Sequence, residues 1–391
     1  MVVLEVVFWL CVALVVWTQL GYALALAALA RIRAIAPSAQ RKDSHRPPLK
    51  ESVSNPRVTL IVAAHDEQDV IGAKVADALA LDYPRELLQL IVACDGCTDA
   101  TAERARGAGA DLVLELPRAG KVRTQDSAVE RATGDVVAFS DANSHWEPDA
   151  LRELLAAFAD PRVGYACGQV RFVQGAVGAH ASNQEGVYWR YELAVRALES
   201  RLSSITAGNG AIYATRRDAY IVVDPIMGHD LSLPFNIVKH GLRAVYVPTA
   251  RASEKMVPSL LGEFQRKRRM MSHTWPIVLR GGMLSPRGYP PLYALMIFSH
   301  RLLRYVTPGL HALALAANVA LVVIGAGPVY VVTLALQVAL LLAALLAGAL
   351  RARPLLLARY YVLTTASPAA GLYDWLRHGT SAWWDAAEGT R

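Results

Sequence analysis

Cysteine is scarce. The chain has four in 391 residues (Cys11, Cys94, Cys97 and Cys167), too few and too scattered for a secretory disulfide framework. Cys94 and Cys97 form a CxxC, but no second CxxC and no suitably spaced histidine pair completes a metal site along the chain. The pair reads instead as a strand-end cysteine and a loop cysteine on either side of Asp95. Helix-turn-helix, zinc-finger and basic–aromatic patterns are also missing, which argues against nucleic acid as a partner despite a formal net charge of +7. There are no internal repeats and no low-complexity linker. Charged residues make up 19% of the chain and hydrophobic residues 54%. The mean hydropathy of +0.27 is high for a soluble protein, so part of the chain is expected in lipid.

The apolar residues are concentrated at the two ends. Residues 2–30 are interrupted only by Glu5, Thr18 and Gln19, and about 20 such residues are enough to cross a bilayer. A cleaved signal peptide would carry positive charge before the apolar run, and its apolar core is about half this length. A retained anchor is therefore expected. The stretch 31–56 is a basic juxtamembrane linker. Arg31, Arg33, Arg41, Lys42, Arg46 and Lys50 face a single acid, Asp43, up to residue 50. Basic loops stay on the cytoplasmic side, which puts the following domain there and makes the chain a multi-pass plasma-membrane protein. At the other end, 306–324 and 329–350 read as spans, and 360–376, with Pro368 and Asp374, as a weaker one within a C-terminal membrane block of 306–391. Residues 256–305 mix basic and apolar side chains like helices lying along the interface.

Between these ends, residues 57–255 alternate. Short apolar runs (58–64, 87–94, 111–116, 135–140, 163–172) are separated by helix-spaced segments (68–81, 99–108, 122–132, 148–158). Continuous apolar runs argue for strands covered on both faces, and their alternation with helices argues for a mostly parallel, Rossmann-like α/β sheet. Further on, 183–205 reads as an amphipathic helix and 243–248 as a strand. Ligands of such sheets gather at the carboxyl ends of the strands, where His65–Glu67, Asp95 and Asp141 fall. Carboxylates of this kind beside a bilayer point to nucleotide-handling chemistry at a membrane.

Each candidate has two readings. Asp141 and Asn143, two residues apart on a strand-end turn, can share a hard divalent cation that in turn holds phosphate oxygens, or can serve only the turn. Asp95 can accept from a base N–H or a ribose hydroxyl, or cap the next helix. Lys121, after Gly120, can meet a diphosphate or sit solvated on the surface. Asp230, in a region poor in other acids, can act as a general base or cap the helix after it. The run Gln265–Arg269 can neutralise a leaving diphosphate or face lipid headgroups.

In order and spacing, Ala-His-Asp-Glu (64–67), Cys-Asp-Gly-Cys-Thr-Asp (94–99), Gly-Lys (120–121), Ser-Asp-Ala-Asn (140–143), Gly-Asn-Gly (208–210), Gly-His-Asp (228–230) and Gln-Arg-Lys-Arg-Arg (265–269) form a series. With this series the chain resembles the membrane-embedded family-2 glycosyltransferases, which include cellulose, chitin, hyaluronan and poly-N-acetylglucosamine synthases. The resemblance covers about 57–270. It implies a GT-A fold, a UDP-sugar donor, Mg2+ or Mn2+, inversion at the anomeric carbon, and a membrane-associated glycan or lipid-linked acceptor. By position it implies that Glu67, Asp95 and Lys121 hold the nucleotide, and that Asp141 with Asn143 holds the metal and diphosphate. It further implies that Asp230 deprotonates the acceptor, Arg266 and Arg268 steady the departing UDP, and Gly208, Asn209 and Gly210 line the acceptor side. Export or modification proteins are the further partners a glycan product would call for. The chain departs from the family pattern at His65, Asp66, Cys94, Asn143, Gly228, His229 and Arg269. The last stands where the processive synthases have the tryptophan that holds the growing chain. These departures motivate a rival reading, a non-catalytic sugar-nucleotide sensor or assembly scaffold in the membrane.

Overall fold

The computed structural model describes residues 1–35, 55–173, 182–255, 260–350 and 352–383. Most of the basic linker, with Arg41, Lys42, Asp43, Arg46 and Lys50, lies outside the described residues. The chain opens with α1 (Val2–Val16), which passes through a π turn at Trp17–Gly21 into α2 (Tyr22–Ile35). Next come β1 (Val58–Ala64), α3 (Ile71–Leu79), β2 (Leu88–Asp95), α4 (Thr101–Gly107), β3 (Leu112–Leu116), α5 (Lys121–Glu130) and β4 (Val136–Asp141) in strict alternation. The second half of the domain holds β5 (His145–Trp146), α6 (Ala150–Ala156), β6 (Val163–Val173), α7 (Ser182–Leu202), β7 (Ile212–Arg216), α8 (His229–Lys239) and β8 (Arg243–Lys255). The last part is helical: α9 (Leu260–Leu279), α10 (Pro291–Met296), α11 (Leu303–Val323), α12 (Pro328–Leu350) and α13 (Arg353–His378).

The eight strands form one sheet in the order β3-β2-β1-β4-β7-β6-β8-β5. The first four are parallel, and β7 enters antiparallel to both β4 and β6. Because β6 pairs parallel with β8, strands β1, β2, β4, β6 and β8 all point the same way. Their side chains split with period two. Leu60, Val62, Leu90, Val92, Val136 and Ala138 pack under α3, α4 and α6, whereas Ile61, Ile91, Val137 and Phe139 pack under α5 and α8. Burial on both faces is why these strands read as unbroken apolar runs. The expected mostly parallel α/β domain is present, with an antiparallel strand at its middle.

α8 joins the domain to the terminal helices. Leu233 and Ile237 face the sheet, while Leu231, Phe235 and Val238 join a second core with Tyr22, Leu26 and Ala30 of α2, Trp275 of α9 and Tyr293 of α10. The lower half of the N-terminal helix is therefore part of the domain's own packing. Its upper half packs Phe8 and Cys11 against Ala314, Ala317 and Leu321 of α11.

Among the described residues, three helices are long and apolar enough to cross a membrane: Val2–Ile35, Pro291–Val323 and Pro328–Leu350. The second runs without a break through a π stretch at Ile297–Leu302, so the expected boundary at 305 falls inside a helix. The weaker span expected at 360–376 is not among the three. Its residues belong to α13, whose polar side chains meet α9: Arg268 pairs with Asp374 through two 2.6 Å bonds, and Lys267 donates to the Tyr360 hydroxyl (3.0 Å).

Candidate active site

The sheet brings the site together at one edge. β7 runs antiparallel to β4, with Ile212 opposite Ser140, so the residues just before β7 lie against those ending β4. Gly210 thereby meets Asp141. A Cβ on Gly210 would lie 3.1 Å from Lys121 Nζ and 3.7 Å from Asp141 Oδ2. The end of β4 also borders β1, where the strand order reverses, the usual ligand crevice of an open α/β sheet.

Lys121 is the first residue of α5, and its ammonium pairs with the Asp141 carboxylate. Asp95 sets up that placement. It ends β2, is buried, and accepts from the backbone N–H groups of Ala119 (2.6 Å) and Gly120 (3.1 Å). Burial alone would lower the Lys121 pKa, but the charges of Asp141, Asp230 and Glu254 outweigh it and hold the ammonium above its usual range.

Asp230 sits in the first turn of α8 and accepts from the Leu231 N–H (3.0 Å). Burial pushes its carboxyl up, and Asp141 adds to the effect, while Lys121 partly offsets it. A carboxylate raised in this way is suited to taking a proton. Its carbonyl accepts from the Gly208 N–H (2.7 Å), which fastens the 208–210 loop to the base candidate. Gly208 has no room for a side chain, because a Cβ there would strike the Tyr165 hydroxyl.

Four of the expected residues have roles different from, or additional to, those expected. Arg268 does not join the cluster. Its guanidinium is engaged by Asp374, which binds a planar fork bidentately and is reachable only because α13 lies beside α9. The Asn209 side chain is engaged by its own loop. Its amide donates to the Gly168 carbonyl (2.8 Å), and its oxygen accepts from Ala211 and Ile212, so the side chain builds the loop. Asp95 is tied to backbone as well as standing at the expected strand end. Glu67 closes the β1 loop through its backbone, with its N–H on Thr101 Oγ1 (2.8 Å) and its carbonyl accepting from Val70 and Ile71. Arg266, by contrast, is close enough to Glu254 to lower its pKa. Asn143 lies on the turn that closes from Ser144 N–H to the Asp141 carbonyl (3.2 Å).

Three further residues belong to the site. Glu254, near the end of β8, lies opposite Phe172 and at the same edge as Asp141. Burial, then the charge of Asp141, pushes it up to about 7, with Lys121, Arg266 and Lys74 working the other way. Its Oε1 is buried without a hydrogen bond. The same rule that flags Asp141, a carboxylate at a strand end, would have flagged Glu254 had the strand been read past Pro248. Lys74 on α3 is buried, donates to the Ser144 carbonyl (2.6 Å), and lies over the Trp146 ring at 5.4 Å, so it braces the Asp141 turn from beneath. His229, seen in the sequence only as a departure, is a buried neutral imidazole. Burial, then Lys121, pulls it down to about 3, and it bonds the hydroxyls of Tyr213 (3.0 Å) and Tyr220 (3.3 Å). Asp141 and Glu254 lie close enough for the charge of one to raise the pKa of the other, and carboxylate oxygens are the ligands that hard divalent cations take. The Glu254 oxygen without a hydrogen bond, beside a second carboxylate, fits such an ion.

The far end of the chain also reaches this edge. Thr380 donates to the Ser272 carbonyl (2.9 Å), His273 Nε2 lies 3.1 Å from the Ser381 carbonyl, and the Ala382 carbonyl comes to rest on Gly120.

The model of the glycosyltransferase-like family 2 matches residues 56–272, more than half of the chain. A β-monoglucosyldiacylglycerol synthase of Synechocystis sp. is 30% identical over 181 residues, covering 42% of this chain and 35% of that protein. An N-acetylglucosaminyltransferase of Rhizobium leguminosarum bv. viciae is 26% identical over 257 residues, covering 59% and 58%. The matches thus span from about a third to three-fifths of the length of these relatives. A mannosyltransferase from Pyrobaculum calidifontis, solved with GDP-Man and Mn2+, superposes with a TM-score of 0.68 at 22% identity, over 95% of this chain and 99% of that one. This likeness extends from the α/β domain to the flanking helices. The chain therefore belongs to the glycosyltransferase-like family 2 and has a GT-A fold carried between apolar terminal helices.

Proposed function

We propose that the chain is an inverting glycosyltransferase that moves a sugar from a UDP-sugar onto a glycan or lipid-linked acceptor at the plasma membrane, with its catalytic domain on the cytoplasmic side. The observation that carries this reading is the placement of the Lys121 ammonium among Asp141, Asp230 and Glu254, with the 208–210 loop bonded to the Asp230 backbone. One relative is named for making a diacylglycerol glycolipid, which agrees with work at a bilayer. Arg31 and Arg33, at the inner end of the first apolar helix, agree with a cytoplasmic domain.

A divalent cation, held by Asp141 with Asn143 and Glu254, would neutralise charge developing on the diphosphate. Every other role falls to the chain itself. Lys121 offers a point charge to the diphosphate, and the Asp95-bound turn fixes where that charge sits. Arg266 approaches from α9 on the side of Glu254. Asp230 Oδ2 takes the acceptor hydroxyl proton as the new bond forms, from the face opposite the leaving group. His229 stays neutral beneath Asp230, so no second cation competes with Lys121.

The test is UDP release from a panel of UDP-sugars, with GDP-sugars alongside, in membranes containing Mg2+ or Mn2+. Asp230→Asn is expected to abolish transfer while the donor still binds. Full activity in that variant removes Asp230 from the mechanism. Tight donor binding without turnover on every donor and membrane acceptor would favour the sensor reading.

A further inference from the structure

α7 carries a buried cation beside the 208–210 loop. Arg196 is 6% exposed, and among the described residues no carboxylate pairs with it. Its guanidinium lies against the rings of Trp189 (6.0 Å) and Tyr246 (5.7 Å). Nη2 donates to the Gly208 carbonyl (3.2 Å), while Nε and Nη1 are buried without a hydrogen bond. We infer that Arg196 is a positioning residue that locks the 208–210 loop onto Asp230, and that its charge is kept there at a cost in stability. Its effect on turnover rests on the proposed reaction; the contact itself does not.

Helical spacing offers Arg196 two partners. Glu192 lies four residues before it and Glu199 three after, the separations at which side chains of a helix meet. Both are engaged elsewhere. Glu192 pairs with Arg304 and lies 3.3 Å from His300 Nε2. Glu199 accepts from the Tyr22 hydroxyl (2.7 Å) and the Thr206 N–H (3.1 Å), and lies 2.7 Å from His300 Nδ1. The two carboxylates thus serve α2 and the helix through residue 300, and Arg196 serves the loop. Burying a charge is unfavourable unless an opposite charge accompanies it. The ring faces return part of that. Water can satisfy open N–H groups but brings no counter-charge.

What Arg196 holds accounts for its place. Gly208 is gripped on three sides. Its N–H donates to the Asp230 carbonyl (2.7 Å), its carbonyl accepts from Arg196, and its Cα packs on the Tyr165 hydroxyl with no room for a side chain. Two residues on, Gly210 stands beside Lys121 and Asp141. The loop therefore runs from the base candidate to the ammonium, and a shift at Gly208 alters the gap in which an acceptor hydroxyl meets the donor. A misplacement of about 1 Å there is enough to slow transfer about a hundredfold. A charged donor holds the carbonyl about twice as strongly as a neutral one.

Arg196→Met keeps an apolar stem and removes the charge with all its donors. In the full chain in detergent, hydrogen exchange read by mass spectrometry should speed up at least about tenfold in the peptide covering 206–212, with the rest of the α/β domain unchanged. The thermal midpoint should stay level or rise, because no ion pair is broken. This arm needs no substrate, so it decides the contact even if the proposed reaction fails. In transfer assays kcat should fall at least about tenfold while donor binding stays within about twofold, and Arg196→Lys, which keeps a charged donor, should restore part of kcat. A lower midpoint with faster exchange throughout the domain would make Arg196 an ordinary structural residue and overturn the inference. Unchanged exchange at 206–212, or wild-type turnover in Arg196→Met, would overturn it equally. A wild-type chain that transfers nothing from any donor would sink the proposed reaction and leave the contact to the exchange result.

Discussion

Glu254→Gln tests whether the carboxylate on β8 holds a cation. Its carboxyl is pushed up to about 7 from 4.5, first by burial and then by Asp141. That shift disfavours the charged form by roughly 3 kcal/mol, an upper limit because the side chain is partly exposed. A bound cation would return part of that. The sign follows from an acid with a raised pKa: the ligating form is present above about 7 and is lost as pH falls through it. Roughly nine-tenths is ionised at about pH 8 and roughly one-tenth at about pH 6, so competition with the proton weakens Mn2+ binding about tenfold across that window. Electron paramagnetic resonance of free Mn2+, in the presence of UDP, measures this directly. The glutamine variant should bind more weakly at the upper pH and lose the slope. If it keeps the wild-type slope, Glu254 is not a ligand, and the titrating group is elsewhere.

Three further outcomes are expected. Gly208→Ala drives a methyl into the Tyr165 hydroxyl and should cost about 1–3 kcal/mol through displacement of the loop, with transfer falling more than donor binding; adding Tyr165→Phe should restore part of it in the same transfer and binding assays. Arg268→Ala should lower the thermal midpoint by the equivalent of about 1 kcal/mol, matching Asp374→Ala, while turnover at saturating donor stays near wild type; a hundredfold loss of turnover on a stable protein would return Arg268 to the diphosphate. Removing residues 1–35 to make a soluble enzyme should give aggregated protein by size-exclusion chromatography, because Tyr22, Leu26 and Ala30 leave an apolar face open on α8, α9 and α10; a monodisperse, donor-binding product would refute this.

The sheet was legible because its strands are short, apolar and regularly interrupted, and six of the eight fall where the periodicity places a strand or the start of one. β5, two residues long, leaves no periodic trace. β8 was read only to 248, since Pro248, Thr249 and Arg251 look like its end, and Glu254 was lost with the rest of the strand. Asp141, Lys121 and Asp230 were legible through motif order and do converge around one ammonium. Arg268 could not be assigned, because its partner lies in a helix more than a hundred residues away in sequence. Asn209 illustrates another limit: a residue inside a recurrent motif can serve the loop rather than the ligand.

The segment that brings Ala382 onto Gly120 matters to anyone handling this protein. Cargo fused shortly behind Trp383 would be tethered at the mouth of the cleft, crowding whatever enters beside Lys121. The amino terminus lies at the opposite end of a helix about 50 Å long, on the far side of the bilayer in the proposed topology. It is the better place for a purification handle or a fluorescent reporter.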